Sequence, residues 1–359
     1  MKKIACVGFH DTGASVIDDL LRECDNVAQG CASTELRILH DPDGISDLEY
    51  HLVTDPHRLG SNLAIRRFYN YCKRQARQEE KLVGNEWIVE VNKYINSLIC
   101  VRYKGWLWNE VEFFPLETKV RLFLFRAINH LLPKCMRKQP WYNFLPNQET
   151  NYASIPEDEF LIKTKKFVEW ICRQINPGNK EFVVLDQFAS AHNPANACRY
   201  TDNLKVIVVD RDPRDLYIHD VKILNEHILA NDPKNFAKQY RLMRRGILTD
   251  DPQKVLRLHF EDLIYKYEDS IKKVFEFLEI DESIHHVNKK VFFNPAISIN
   301  GTQLWKRYPE YSKEIEIIET EIGDMLYDYP ENSDILRKEI MCGENINLLI
   351  QAYEHMDDR

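Results

Sequence analysis

The chain has 359 residues, 44% hydrophobic and 29% charged, proportions of a soluble globular protein with one large domain or two ordinary ones. Its formal net charge of −8 argues against a nucleic-acid binder, which carries a basic excess, so no nucleic acid is expected as a partner. Nine cysteines stand singly at 6, 24, 31, 72, 100, 135, 172, 198 and 342, with no zinc spacing among them. Reduced thiols, a cytoplasmic location and no metal are therefore expected. The apolar run in Met1–Gly8 is short for a signal peptide, and no stretch reaches the ~18 apolar residues of a membrane span.

The amino terminus reads as strand, turn and helix. Lys3–Val7 is a short apolar run suited to a buried parallel strand, and Val16, Ile17, Leu20 and Leu21 follow at helical spacing. Residues 25–60 are rich in Asp, Gly and Pro and read as irregular. Residues 61–150 read as a helical insertion or cap without a strand, rich in aromatics: Trp87, Trp106, Trp108, Phe113, Phe114, Trp141 and Tyr142. Strands are predicted again over 181–186, 205–210 and 254–260, the second β-branched through its middle. A helix opens at Asp212-Pro213-Arg214, with Pro at a first-turn position and Asp able to cap. Two helices follow the strand at 254–260, with Glu261 and Asp262 read as caps. A turn-rich segment at 294–309 leads to an acidic helical tail at 311–359. Strands separated by helices point to an α/β fold, a mostly parallel central sheet flanked by helices within a single domain over 1–359. Ligands of such sheets sit beyond the carboxyl ends of the strands, which is where Gly8–Ser15, Asp186, Arg211 and His259 fall.

Four segments carry chemistry. Gly8-Phe9-His10-Asp11-Thr12-Gly13-Ala14-Ser15 has the spacing of a phosphate-binding loop, whose backbone N–H groups and following helix terminus attract an anion. Thr12 and Ser15 offer hydroxyls. Ala14 stands where nucleoside triphosphatases keep a lysine, which argues against an ordinary kinase-like enzyme. Asp210-Arg211-Asp212-Pro213-Arg214-Asp215 offers an arginine fork for a phosphate; the plainer reading is a capped helix with surface ion pairs. Leu258–Leu263 reads chiefly as structural. Ser298–Lys306 combines a polar turn at Asn300-Gly301 with Trp305 and Lys306, suited to closing over a nucleotide.

Taken in this order, the four segments resemble the family of sulfotransferases that use 3′-phosphoadenosine-5′-phosphosulfate, in pieces over ~150 residues; the bacterial carbohydrate-modifying type is the one suspected. The family pattern is a loop after strand one, a strand ending in Arg-x-Pro-x-Asp, a Glu-Asp-Leu segment before a Phe-Leu helix, and a Gly-x-Trp-Lys-like segment. Lys205–Asp215, Phe260–Leu263 with Phe277-Leu278, and Asn300–Lys306 match the last three. The resemblance implies a P-loop-like fold and that co-substrate, with no metal. It implies donor contacts from Asp11, Thr12, Gly13, Ala14, Ser15, Arg211, His219, Asn300, Gly301, Trp305 and Lys306. Two positions depart from the pattern. Asp11 stands where the family usually carries Lys or Arg against the leaving phosphosulfate, and His219 replaces the serine eight residues past the arginine. Lys306, Arg66 and Arg67 are candidate substitutes for the missing cation, and His219 is expected to bind the 3′-phosphate better when protonated.

The family places a His or carboxylate near the end of the preceding strand as the base, here Asp186 or His192. The expected reaction is sulfuryl transfer to a hydroxyl of a carbohydrate or polysaccharide precursor. The alternatives are a P-loop kinase-like nucleotide enzyme and a non-catalytic relative that binds nucleotide or glycan. The basic stretch 119–138 suits weak contact with an anionic membrane surface, against the plainer reading of a solvated helix face.

Overall fold

A computed structural model describes residues 1–29, 35–56, 60–105, 111, 115–137, 148–245, 250–285 and 290–342. The chain forms two compact units, one of residues 1–40, 81–84 and 168–359, the other of residues 41–80 and 85–167.

The first unit is built on a five-stranded sheet, all of whose pairings are parallel. Its strands are β1 (Lys2–Gly8), β2 (Val27–Gln29), β5 (Phe182–Asp186), β6 (Leu204–Asp210) and β7 (Val255–His259), in the order β2-β5-β1-β6-β7. Ile4, Val7, Val183, Val206 and Val209 are sealed from solvent. These strands therefore read as continuous apolar runs rather than as alternation, as expected of a sheet covered on both faces. The register pairs Cys6 with Asp186, Gly8 with Val209 and Asp210 with His259. The carboxyl ends of β5, β1, β6 and β7 thus come level at one edge.

Helix α1 (Ser15–Arg22) puts Ile17, Leu20 and Leu21 into one core with Val184, Ile207 and Leu258. After β7, α10 (Phe260–Tyr265) and α11 (Tyr267–Leu278) add Leu263, Val274, Phe275 and Leu278 to it. Each such side chain contributes about 1.5–3 kcal/mol when fully buried. A second core joins α8 (Pro213–Ile218), α9 (Pro233–Arg244), α13 (Leu304–Arg307) and α14 (Ser312–Ile322) through Leu216, Phe236, Leu304 and Ile318. Short helices α7 (Ala197–Tyr200) and α12 (Pro295–Ser298) and the tail helix α15 (Ser333–Cys342) complete this unit. In the tail, α14 and α15 are separated by a non-helical stretch at 326–332. The three-residue strand β2 lies in the stretch expected to be irregular; it is too short to show a pattern.

The second unit holds α2 (Ile45–Glu49), α3 (Gly60–Val83), α4 (Trp87–Leu98), α5 (Leu116–Leu131) and most of α6 (Glu157–Ile175). An antiparallel ribbon joins β3 (Val101–Gly105) to β4 (Gln148–Tyr152). The ribbon corrects the expectation of a strandless 61–150. Its residues 101–104 are all exposed, so there was no buried face to write an alternating pattern. Trp87 is core rather than a sugar platform: it is fully buried, its indole N–H donates to the Cys72 carbonyl, and its ring lies 5.9 Å from Phe167. Tyr94 stacks on Phe167 at 4.7 Å. The other six aromatics singled out from the sequence lie outside the described residues. No helix among the described residues is long and apolar enough to cross a membrane.

Candidate active site

The loop after β1 is held shut by its own side chains. Thr12 is 1% exposed; its hydroxyl donates to the Val209 carbonyl at 2.7 Å and accepts the Phe9 N–H. That hydroxyl, expected to face a ligand, instead ties the loop to β6. A Cβ at Gly8 would lie 2.2 Å from this same oxygen. Gly13 adopts φ +85°, and a Cβ there would lie 2.5 Å from the Phe260 ring; both facts demand glycine. Ala14 precedes α1 without a side-chain cap, and Ser15 is exposed at the first helical position. The helix therefore begins with its amide end uncapped by side chains.

Arg211, in the second segment, touches the other three. It is 3% exposed. Nη1 donates to the Asp11 carbonyl at 3.0 Å and Nη2 to the Gly301 carbonyl at 2.5 Å, while Phe260 lies against the guanidinium, 5.1 Å from its ring centre. The fork expected to grip a phosphate thus clamps the β1 loop to the turn at 301, and Nε has no partner among the described residues.

Beneath it, the Asp-rich segment is buried rather than a surface ion-pair array. Asp212 caps α8 by accepting the Arg214 N–H, pairs with the Arg214 guanidinium, and accepts the Tyr327 N–H. Asp215 is fully buried and accepts from Gln303 N, Leu304 N and the Tyr329 hydroxyl. Glu261 is no cap: helix α10 already begins at Phe260, and Glu261 Oε1 accepts the Asp212 N–H at 2.9 Å. Burial first, then Asp215 and Asp212, push the Glu261 carboxyl well up. Asp262 accepts the Tyr327 hydroxyl and pairs with Lys266.

The remaining predicted donor contacts are dispersed. Asn300 is exposed, and its side chain accepts from Arg337 at 3.4 Å. Trp305, expected to offer a face to a base, has the Arg214 guanidinium 3.9 Å from its ring centre and Tyr329 at its edge. Lys306 is exposed and pairs with Asp334 at 3.1 Å. Of the other substitutes for the missing cation, Arg67 pairs with Asp43 and Asp47, and Arg66 donates to the Glu149 carbonyl.

Asp11 is paired. Its Oδ2 lies 3.1 Å from His10 Nε2. Burial works to raise its carboxyl, but His10, His219 and Arg211 outweigh that and hold it below the ordinary value. Both loop residues have positive φ, 150° for His10 and 47° for Asp11, a strained backbone of the kind that persists where the surroundings enforce it. His219 lies beside them. Burial and then the Arg211 charge push its imidazole down to about 4, so it is neutral at physiological pH, the form expected to bind a 3′-phosphate less well than the protonated one.

The two candidate bases differ in setting. Asp186 ends β5, and the next residue, Gln187, ties it to β1: its N–H donates to the Cys6 carbonyl and its side-chain oxygen accepts the Gly8 N–H. Asp186 Oδ1 is buried without a partner among the described residues. Burial, then Asp18 and Glu35, raise its carboxyl to about 7, the range of an efficient general base at neutral pH. His192 is exposed, 3.3 Å from the Met243 carbonyl.

Asp11, Asp186 and Arg211 stand at the sheet edge where parallel α/β proteins bind ligands. Residues 145–296 match the sulfotransferase domain. The matched stretch covers under half of the chain but includes Asp186, Arg211, His219 and Glu261. It supports sulfuryl transfer in general and a transferase activity, on a parallel α/β sheet of the kind that domain uses. The β1 loop and Asn300–Lys306 lie outside it. No curated protein matches the chain.

Sequence reasoning passed over His10 and Asp220. His10 was in view inside the loop, but its partner lies 210 positions away on a π-helical stretch, His219–Leu224, and only the fold brings the two together. Arg244 was also missed: it is bidentate on Asp210 and packs on the rings of Phe9 and Tyr240.

Proposed function

We propose that this protein moves a sulfuryl group from 3′-phosphoadenosine-5′-phosphosulfate to a hydroxyl of a carbohydrate or polysaccharide precursor, in the cytoplasm. The observation that carries the reading is the Arg211 clamp, which gathers the glycine loop, the strand-end arginine and the Asn300-Gly301 turn into one cradle beyond the sheet. The backbone amides of Gly13–Ser15 and the Ser15 hydroxyl meet the 5′-phosphosulfate. Arg211 shapes the 3′-phosphate side, where its Nε has no partner among the described residues, and neutral His219 supplies a hydrogen bond there.

In the reaction the acceptor oxygen attacks sulfur in line with the departing phosphate oxygen. A carbon–oxygen–sulfur linkage forms, the sulfur–oxygen bond to phosphate breaks, and the bisphosphate leaves with its bond electrons. The acceptor proton passes to Asp186, whose buried, unpartnered oxygen is poised to take it. Positioning and electrostatics supply most of the acceleration, by analogy with phosphoryl transfer.

The carbohydrate acceptor draws support from a groove in the second unit lined by Arg66, Tyr69, Asn70, Asn92, Asn96 and Arg102. Amides and a phenol are suited to sugar hydroxyls. Weak contact with an anionic membrane is supported by α5, which exposes Leu116, Phe123, Leu124, Ile128 and Leu131 beside Lys119 and Arg126. The cytoplasmic placement rests on the free thiols, Cys6, Cys24, Cys72, Cys100, Cys135, Cys172 and Cys198 among the described residues.

The test is thermal shift with 3′-phosphoadenosine-5′-phosphate against ATP, followed by transfer of labelled sulfate to a glycan panel. Stabilisation by the bisphosphate and labelled product are expected. Stabilisation by ATP alone would sink the reading in favour of a kinase-like enzyme. Bisphosphate binding without transfer to any acceptor would favour a non-catalytic relative.

A further inference from the structure

Three polar side chains meet beside the glycine loop, with one imidazole nitrogen between two carboxylates. His10 Nε2 lies 3.1 Å from Asp11 Oδ2 and 4.0 Å from Asp220 Oδ1. One ligand atom from each of the three residues falls within 4.8 Å of the others. Asp220 is 1% exposed. Its Oδ1 accepts the Ile228 N–H at 3.2 Å, but Oδ2 has no partner among the described residues, and His10 Nε2 and Asp11 Oδ2 have only each other. A buried polar atom left unmatched is costly, and two carboxylates gathered on a single imidazole nitrogen call for an occupant.

A proton on His10 is the simplest occupant, and it falls short. An imidazolium offers a single N–H at Nε2, which can serve one carboxylate and leaves the other buried and unpaired. A divalent cation can contact all three atoms at once. One imidazole nitrogen with two carboxylate oxygens is a mixed donor set of the kind taken by Mn²⁺ or Zn²⁺. The backbone supports this placement: the π-helical stretch carries Asp220, and the strained His10 and Asp11 dihedrals set the other two side chains.

We propose that His10, Asp11 and Asp220 bind a divalent cation beside the donor loop. Resting on the sulfotransferase reading above, the cation supplies the positive charge that the family's loop lysine or arginine would supply and that Asp11 removes. Three protein ligands leave coordination positions open, and an oxygen of the phosphosulfate can fill one of them. Asp11 then becomes the ligand that recruits the charge rather than a repulsive group facing an anion.

The test begins without nucleotide. Isothermal titration and Mn²⁺ electron paramagnetic resonance on the full chain, stripped of metal, should show one Mn²⁺ bound per chain. Asp220→Asn keeps the size and the acceptor for Ile228 N–H, so its fold should survive, with circular dichroism as the check. It should weaken Mn²⁺ binding about tenfold or more. Unchanged binding in both Asp220→Asn and Asp11→Asn, or no binding of Mn²⁺ or Zn²⁺ to the parent chain, would overturn the site. Titration with 3′-phosphoadenosine-5′-phosphate separates the two readings. If one Mn²⁺ binds through Asp220 and the bisphosphate never binds, the cation site stands and the sulfotransferase reading fails. If the bisphosphate binds equally well in chelator and in Mn²⁺, the proposed partnership of cation and donor is overturned while the sulfotransferase reading stands.

Discussion

Asp212, Asp215 and Glu261 form one buried acidic cluster beyond the sheet edge; His10, Asp11 and Asp220 form another polar cluster at the same edge. In the first, nearly every oxygen has a donor: two amides and a phenol on Asp215, an arginine fork and an amide on Asp212, an amide on Glu261. Only Glu261 Oε2 lacks one among the described residues, and burial, then Asp215 and Asp212, push that carboxyl well up. In the second, one imidazole nitrogen and one Asp11 oxygen have only each other, and Asp220 Oδ2 has no partner among the described residues. The difference teaches how to tell a scaffold from a site. Polar groups that complete one another hold the chain in place, whereas groups that leave one another incomplete are shaped for something that arrives.

The sharpest way to break the comparison is Asp215→Ala. It strands the N–H groups of Gln303 and Leu304 and the Tyr329 hydroxyl, and should cost about 3–5 kcal/mol in denaturant unfolding. A loss below about 1 kcal/mol would show that the first cluster is no scaffold.

Asp186→Asn tests the base and should lower sulfate transfer by about 10²–10⁴-fold with little change in bisphosphate affinity. In the parent chain the rate should climb as pH rises through about 7, because the carboxyl must lose its proton to act. Stability runs the opposite way. The folded-state value lies above the ordinary 3.8, so the folded chain holds the proton more tightly, and stability falls as pH rises from 3.8 to about 7. Asp186→Asn should remove that fall, seen as a flatter melting temperature against pH.

Arg211→Ala should weaken bisphosphate binding by about 1.5–3 kcal/mol, since it releases both the Asp11 carbonyl and the Gly301 carbonyl from the clamp. Unchanged affinity by calorimetry would mean that the clamp does not shape the donor site. The smallest effect is expected of Lys306→Ala. Its exposed pair with Asp334 should contribute less than about 0.5 kcal/mol to stability. A large loss of donor affinity in that variant, with stability intact, would place the missing cation on Lys306 and not at the His10 cluster.

The sheet was largely legible because buried parallel strands write themselves as unbroken apolar runs: β1, β5, β6 and β7 all fall on the stretches read from the sequence. Strands β2, β3 and β4 were not: β2 has three residues, β3 has no buried face, and in β4 Thr150 is a lone buried position among the described residues. In the site, the glycine loop and Arg211 could be seen from spacing. What each does could not. Thr12 spends its hydroxyl on a neighbouring strand, Arg211 spends its fork on two carbonyls, and Glu261 leaves its expected capping place to hold the Asp212 amide. These are contacts between segments tens to hundreds of positions apart, and the local pattern around each residue carries no trace of its partner.

The Phe260 ring occupies the space beside Gly13 and lies 3.5 Å from where a Cβ on Gly301 would stand. The ring closes position 13, where a Cβ would lie 2.5 Å from it and φ is +85°, but at 301 its distance is an ordinary contact. There the tighter neighbour is Arg211 Nη2, 3.1 Å from the place of a Cβ. A side chain at 301 would therefore press on the same guanidinium that holds the Gly301 carbonyl, so drift at 301 is tied to 211, whereas 13 stays closed by its own backbone conformation and by Phe260.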